Sequence, residues 1–162
     1  MVEGPLKSST KRVETALEAL GVAYEIRQFD SSARSAEEAA AAIGCPVDQI
    51  VKSLIFRAEA SDRSVLVVAS GSNRVDEKTL GALLGEKIKR ADADFVRRRT
   101  GFAIGGVPPL AHDHPPAVFI DRDLLAFESV WAAAGTPNSV VRLKSDDLER
   151  VTGGRVADVK KA

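Results

Sequence analysis

Two apolar runs decide the fold: Val51-Lys52-Ser53-Leu54-Ile55-Phe56-Arg57-Ala58 and Ser64-Val65-Leu66-Val67-Val68-Ala69. The second is almost uninterrupted and valine-rich, so it reads as a central strand covered on both faces. The first reads as a strand with Lys52 near its start and Arg57 near its end. On the N-terminal side, Val47 to Ile50 is a single turn leading into this strand, and Cys45-Pro46 breaks the element before it. That element is a helix opened by the capping pair Ser35 and Glu38, continued by alanines 39–42 and stopped at Gly44. Further back, the alternation of Val22, Tyr24 and Ile26 predicts a strand. Val13, Leu17 and Leu20 fall at helical spacing, in a helix from Thr10 that Gly21 stops.

Ser70-Gly71-Ser72-Asn73 is a turn, and Asp76 caps a helix ending near Gly85. Lys87–Ala91 is a short strand. Asp92–Arg99 is a helix with acids first and arginines last, the order its dipole favours. Thr100–Pro116 is the stretch richest in glycine and proline and carries nothing regular. Strands follow at Ala117–Asp121, Ser129–Ala133 and Ser139–Leu143, then a helix over Ser145–Thr152 and a terminal strand through Val156. The order lacks a βαβ repeat. It predicts an α+β fold with a mixed, largely antiparallel, barrel-like sheet flanked by helices. One domain is expected over residues 10–160, with a flexible terminus over 1–9.

Composition excludes several classes. With 162 residues the chain can bury a real core. Its 23 basic and 23 acidic side chains cancel, which argues against a protein that coats nucleic acid or binds DNA. Only 5% of residues are aromatic, too few for a row of base-stacking platforms along Arg97-Arg98-Arg99. One cysteine forms no internal disulfide, and one Cys with two His cannot complete a Cys/His zinc site. Met1–Lys11 lacks a signal-peptide core, and no apolar run reaches membrane-spanning length. The expected location is the cytoplasm, with no membrane partner, metal or cofactor.

Some motifs fail on spacing. Gly81-Ala-Leu-Leu-Gly85-Glu-Lys87 is one residue short of a phosphate loop between its glycines, and Glu86 stands where the lysine belongs. No Gly-x-Ser-x-Gly elbow exists. Cys45 beside Pro46 reads as a structural thiol, and His112-Asp113-His114 as an exposed loop. Two features remain. Lys52 is either an edge lysine or, if turned into a pocket, a compact phosphate binder. Thr100-Gly101-Phe102-Ala103-Ile104-Gly105-Gly106-Val107-Pro108-Pro109 is either a tight structural turn or a loop whose backbone surrounds a polarised carbonyl.

Taken together, Val51–Phe56, Val65–Ser70 and the Gly105-x-x-x-Pro109 core resemble the YbaK family. These are free-standing, ProX-like relatives of the editing domain inserted in bacterial prolyl-tRNA synthetases. The similarity runs in one register from about Val13 to Val156. It implies hydrolysis of the ester joining a wrong amino acid to tRNA, with the acceptor end of a mischarged tRNA as substrate. Prolyl-tRNA synthetase and an elongation factor are candidate partners. It gives Lys52 the phosphate of the terminal adenosine, and gives Gly105, Gly106, Val107, Pro108 and Pro109 the scissile carbonyl and attacking water. Ser53, Thr100, Gly101, Asp121 and Gly135 are expected around the substrate, and Arg97, Arg98 and Arg99 against tRNA phosphates.

Members that clear cysteine from tRNA(Pro) carry Tyr where this chain has Phe29, and Ser-Gly-Gly where it has Ala133-Ala134-Gly135. The loss of hydroxyls implies a methyl-lined pocket for alanine or 2-aminobutyrate, with serine, threonine and cysteine poorer. A non-catalytic module that binds tRNA ends or a synthetase is the alternative. It would not need a carbonyl-sized loop.

Overall fold

The computed structural model describes residues 4–33 and 35–162. Five helices, α1 (Ser8–Leu20), α2 (Ala36–Ile43), α3 (Glu77–Leu84), α4 (Ala93–Thr100) and α5 (Leu148–Thr152), flank eight strands. The strands are β1 (Tyr24–Gln28), β2 (Val51–Ala58), β3 (Ser64–Ser70), β4 (Ile88–Arg90), β5 (Ala117–Asp121), β6 (Ser129–Ala133), β7 (Ser139–Lys144) and β8 (Arg155–Ala157). Helix α1 begins two residues before the expected Thr10, and Met1–Glu3 lie outside the described residues. Local side-chain chemistry sets three of the helix starts. Ser35 accepts from Glu38 N–H, Asp76 from Lys78 and Thr79 N–H, and Asp92 from Phe95 N–H.

The expected α+β fold with mixed, largely antiparallel strands flanked by helices is what forms, without a closed barrel. The strands form two separate sheets, β1-β7-β6 and β4-β2-β3-β5-β8, and between them among the described residues runs only an isolated bridge, Ile50 to Trp131. The pairing is mixed: β1–β7, β6–β7, β2–β3 and β2–β4 are antiparallel, while β3–β5 and β5–β8 are parallel.

Strand parity distributes the core. Val51, Ile55, Leu66, Val68, Val118 and Ile120 leave one face of the larger sheet and meet Val130, Ala132, Val141 and Leu143 of the smaller, closed by Val13 and Leu17 of α1. From the other face Phe56, Val65, Val67, Ala69 and Phe119 pack under Leu80 of α3. The outer face of the small sheet is covered by α2, whose Ala39 and Ala40 pack with Phe29, Ile50, Trp131 and Val140. Truncating a fully buried residue such as Leu66 should cost about 2–5 kcal/mol.

Candidate functional site

A cavity of about 290 Å³ opens where α2, the start of β2, the glycine loop and the small sheet meet. Its wall takes Ser35, Ala36 and Ala39 from α2, Val51 to Leu54 from β2, and Ile104, Gly105 and Val107 from the loop. Trp131, Ala132 and Ala133 of β6, with Ala33, Ile50, Pro137, Ser139 and Val140, complete it. Lys52 and Ser53 point to opposite faces of β2, yet both line the cavity. This is possible because β4 pairs only with Phe56–Ala58 and leaves the first half of that edge uncovered.

Lys52 is half-buried, and its ammonium donates to the Asn73 carbonyl at 2.5 Å. Burial lowers its pKa, Glu37 works against that shift and Arg74 adds to it. Among the described residues Asn73 O is its hydrogen-bond partner, so two of the three N–H donors stay free for a ligand. Ser53 Oγ is buried without a partner. Ser139 Oγ, by contrast, is committed to Thr10 Oγ1 at 3.1 Å and Thr136 Oγ1 at 2.7 Å.

The loop is built from short local bonds. Thr100 Oγ1 accepts from Phe102 N–H and donates to Val96 O. Gly106 N–H donates to Ala103 O at 3.0 Å. Among the described residues, the N–H groups of Gly105 and Val107 have no protein acceptor, and both residues line the cavity. His112 Nε2 meets Pro108 O at 2.7 Å, and Arg12 reaches Ala111 O and Asp113 while lying 4.7 Å from the Phe102 ring centroid. His112 is therefore no exposed loop residue. Its Nδ1 is buried without a partner, and burial pushes its pKa down. Among the described residues no three His, Cys, Asp or Glu side chains converge as a metal-ligand set.

Several expected pocket residues lie elsewhere. Thr100 is fully buried as part of the α4 C-terminus, and a Cβ on Gly101 would strike Asp113 and Arg12. Asp121 is buried under the cavity's neighbourhood rather than in its wall. Its Oδ2 accepts from Ser70 N–H at 3.0 Å and Asn73 Nδ2 at 2.8 Å, and its Oδ1 from Asp123 N–H. Ala134 points into the main core at 0% exposure, and Gly135 abuts the Ser9 and Thr10 backbone. Gly106, Pro108 and Pro109 are buried behind the loop's exposed tip, and Phe29 packs behind Trp131 and Val140. Arg98 pairs with Asp94 at 2.9 Å and Arg99 with Asp62 at 3.3 Å, leaving Arg97 exposed, and none of the three lines the cavity. Of the expected residues the structure gathers Lys52, Ser53, Gly105, Val107 and Ala133.

The contribution of α2 was missed, although its run of alanines signals a surface that lets another group approach closely. Asn73 was also missed, because a turn asparagine carries no chemical signature of its own. Its Nδ2 bridges Asp121 Oδ2 and Asp123 Oδ2, each at 2.8 Å. Lys160 also donates to Asp123 at 2.7 Å, and these bonds, Lys160 first, hold the Asp123 carboxyl below its usual range.

The model of the aminoacyl-tRNA editing domain family matches residues 30–151. The chain belongs to that family. This editing domain is 33% identical over 148 residues to the uncharacterised Bacillus subtilis protein YwhH, covering 91% of this chain and 94% of that one. It is 31% identical over 119 residues to a proline–tRNA ligase of Desulfovibrio desulfuricans, covering 73% of this chain but 20% of the ligase. The editing domain thus spans about a fifth of such a ligase. A crystal structure provisionally named as a trans-editing enzyme for prolyl tRNA synthetase superposes with a TM-score of 0.91 at 42% identity, covering 98% of this chain and all of that one. No helix among the described residues is long and apolar enough to cross a membrane.

Proposed function

We propose that this editing domain is a trans-acting deacylase that hydrolyses the ester of a mischarged aminoacyl-tRNA, with a small aliphatic amino acid on tRNA(Pro) as its substrate. The observation that carries the reading is one cavity lined by Lys52, whose ammonium is only partly spent, and by Gly105 and Val107, whose N–H groups have no protein acceptor among the described residues. Lys52 holds a phosphate of the tRNA end. Gly105 and Val107 N–H donate to the carbonyl oxygen as it gains charge, and each such donor is worth about 10²–10³ in rate. The oxygen of a water forms the new bond to the carbonyl carbon while the bond to the ribose oxygen breaks. The ribose oxygen takes a proton from that water, releasing free amino acid and tRNA. An ester needs orientation and oxyanion donors more than a strong base, in keeping with a sequence that carries no Gly-x-Ser-x-Gly elbow.

The small volume and the methyl groups of Ala36, Ala39 and Ala133 favour alanine or 2-aminobutyrate. Ser53 Oγ, uncommitted in the same wall, qualifies the expectation of a purely methyl-lined pocket. Incubation with alanyl-, 2-aminobutyryl-, cysteinyl- and prolyl-tRNA(Pro) tests the reading. The first two should be cleared fastest and prolyl-tRNA spared. Release from none of them refutes the deacylase reading, and fastest release of cysteine refutes the aliphatic preference.

A further inference from the structure

Lys52 has no carboxylate partner among the described residues, yet a long flexible side chain must be held still to serve as a binding point. What holds it is a backbone carbonyl, Asn73 O. A carbonyl at a turn is only as fixed as the turn, and here the turn is clamped from both ends. On one side the Asn73 carboxamide donates to Asp121 Oδ2 and Asp123 Oδ2, while Asp121 Oδ2 also takes Ser70 N–H. On the other, the C-terminal segment lies against the next residues. Lys161 N–H donates to Arg74 O at 2.7 Å, Asp76 N–H to Val159 O at 2.8 Å, and Lys160 Nζ reaches Asp123. Turn, acid pair and lysine form one connected chain of bonds from the buried end of β5 to the cavity mouth.

We propose that Asn73 is the positioning residue for Lys52: its carboxamide, bridged between Asp121 and Asp123, fixes the Ser70–Asn73 turn so that its own carbonyl aims the ammonium at the cavity. The proposal rests on the reading of Lys52 as the group that receives substrate. It also gives Asp121 a part in the site without contact with substrate, since Asp121 acts through Asn73.

The geometry makes the side chain and the main chain of Asn73 separable. Asn73→Ala keeps the carbonyl but removes both anchors, so the turn loosens while Asp121 retains Ser70 and Asp123 N–H. An ammonium that samples several positions meets its phosphate less often. The deacylase kcat/KM should fall about tenfold, with KM carrying most of the loss. Asp123→Ala, which removes one anchor at a half-exposed position, should produce a smaller loss of the same kind and serves if Asn73→Ala does not fold.

A double-mutant cycle with Lys52→Ala separates positioning from general damage. In a Lys52→Ala background, Asn73→Ala or Asp123→Ala should cost nothing further. A second readout needs no substrate. In NMR spectra the two Hε protons of Lys52, identified by their absence in Lys52→Ala, should be inequivalent in the wild type and merge in Asn73→Ala. Equal losses in both backgrounds, or Hε protons unchanged by Asn73→Ala, overturn the proposal. A wild-type protein that clears no aminoacyl-tRNA refutes the deacylase reading instead, and the Hε signals then decide the positioning claim by themselves.

Discussion

Ala133 and Ala134 are neighbours with the same side chain, and the structure gives them opposite fates. Ala133 is half-buried in the cavity wall, whereas Ala134 is sealed in the main core, with its N–H on Ser139 O at 3.1 Å and its carbonyl taking Ser139 Oγ at 3.2 Å. Changing either to Val adds two methyl carbons. At Ala133, counting each carbon as roughly a water's share of liquid, about 30 Å³, the change removes about a fifth of the 290 Å³ cavity. A methylene in an apolar pocket is worth about 1–3 kcal/mol, or 10–200-fold in kcat/KM. Ala133→Val should therefore lower clearance of 2-aminobutyryl-tRNA relative to alanyl-tRNA by that factor, with little change in stability. At Ala134 the same carbons meet a packed core, where overpacking costs about 1–3 kcal/mol. For a domain of this size that is a fall in Tm of roughly 2–12 °C, with the ratio of the two substrates unchanged. Thermal melts and competition kinetics on the two tRNAs read both outcomes. A substrate ratio moved by Ala134→Val and left alone by Ala133→Val would falsify the placement of the cavity wall.

Lys52→Ala should lose about 1.5–3 kcal/mol of transition-state binding, seen as a 10- to 150-fold drop in kcat/KM with the fold intact; unchanged turnover at subsaturating substrate removes Lys52 from the site. A Cβ on Gly106 would sit 2.9–3.0 Å from the backbone of Gly135 and Thr136. Gly106→Ala should thus cost about 1–3 kcal/mol in urea unfolding as well as activity, and wild-type stability would show that the loop does not rest on that turn. The lowered pKa of the partly buried His112 means that the unfolded chain takes up its proton first as pH falls. Stability should accordingly decline from the ordinary imidazole range down to the lowered folded value. His112→Gln should flatten that slope, and an unchanged slope would assign it to other groups.

What could be read from the sequence was local. Ser35 with Glu38, Asp76 and Asp92 each cap a helix within three residues of themselves, so the chain announces these starts without reference to the rest of the fold. The uninterrupted Val65–Ala69 announces its own burial for the same reason. Closure into two sheets was not readable, because the parallel pairs β3–β5 and β5–β8 join segments that carry no sign of each other. The surroundings of the site residues were hidden for the same reason. Thr100 and Asp121 bond to Phe102 and Asn73, and Gly101 and Gly135 lie where a side chain would strike Asp113 and Ser9; only the folded chain shows that these neighbours are protein.

Lys52 shows why the two sequence readings of one residue need not exclude each other. A strand edge is a hazard that proteins blunt with charge, and Lys52 does sit on an edge, because β4 stops at its pairing with Phe56. The same short β4 opens the space that α2, the glycine loop and β6 surround, so the uncovered edge is also the cavity's wall. Had β4 extended three residues further along β2, it would have covered Ser53 to Ile55 and taken Ser53 and Leu54 out of the cavity wall, and the lysine would have remained as edge protection alone. The length of one three-residue strand therefore separates a structural lysine from a substrate-facing one.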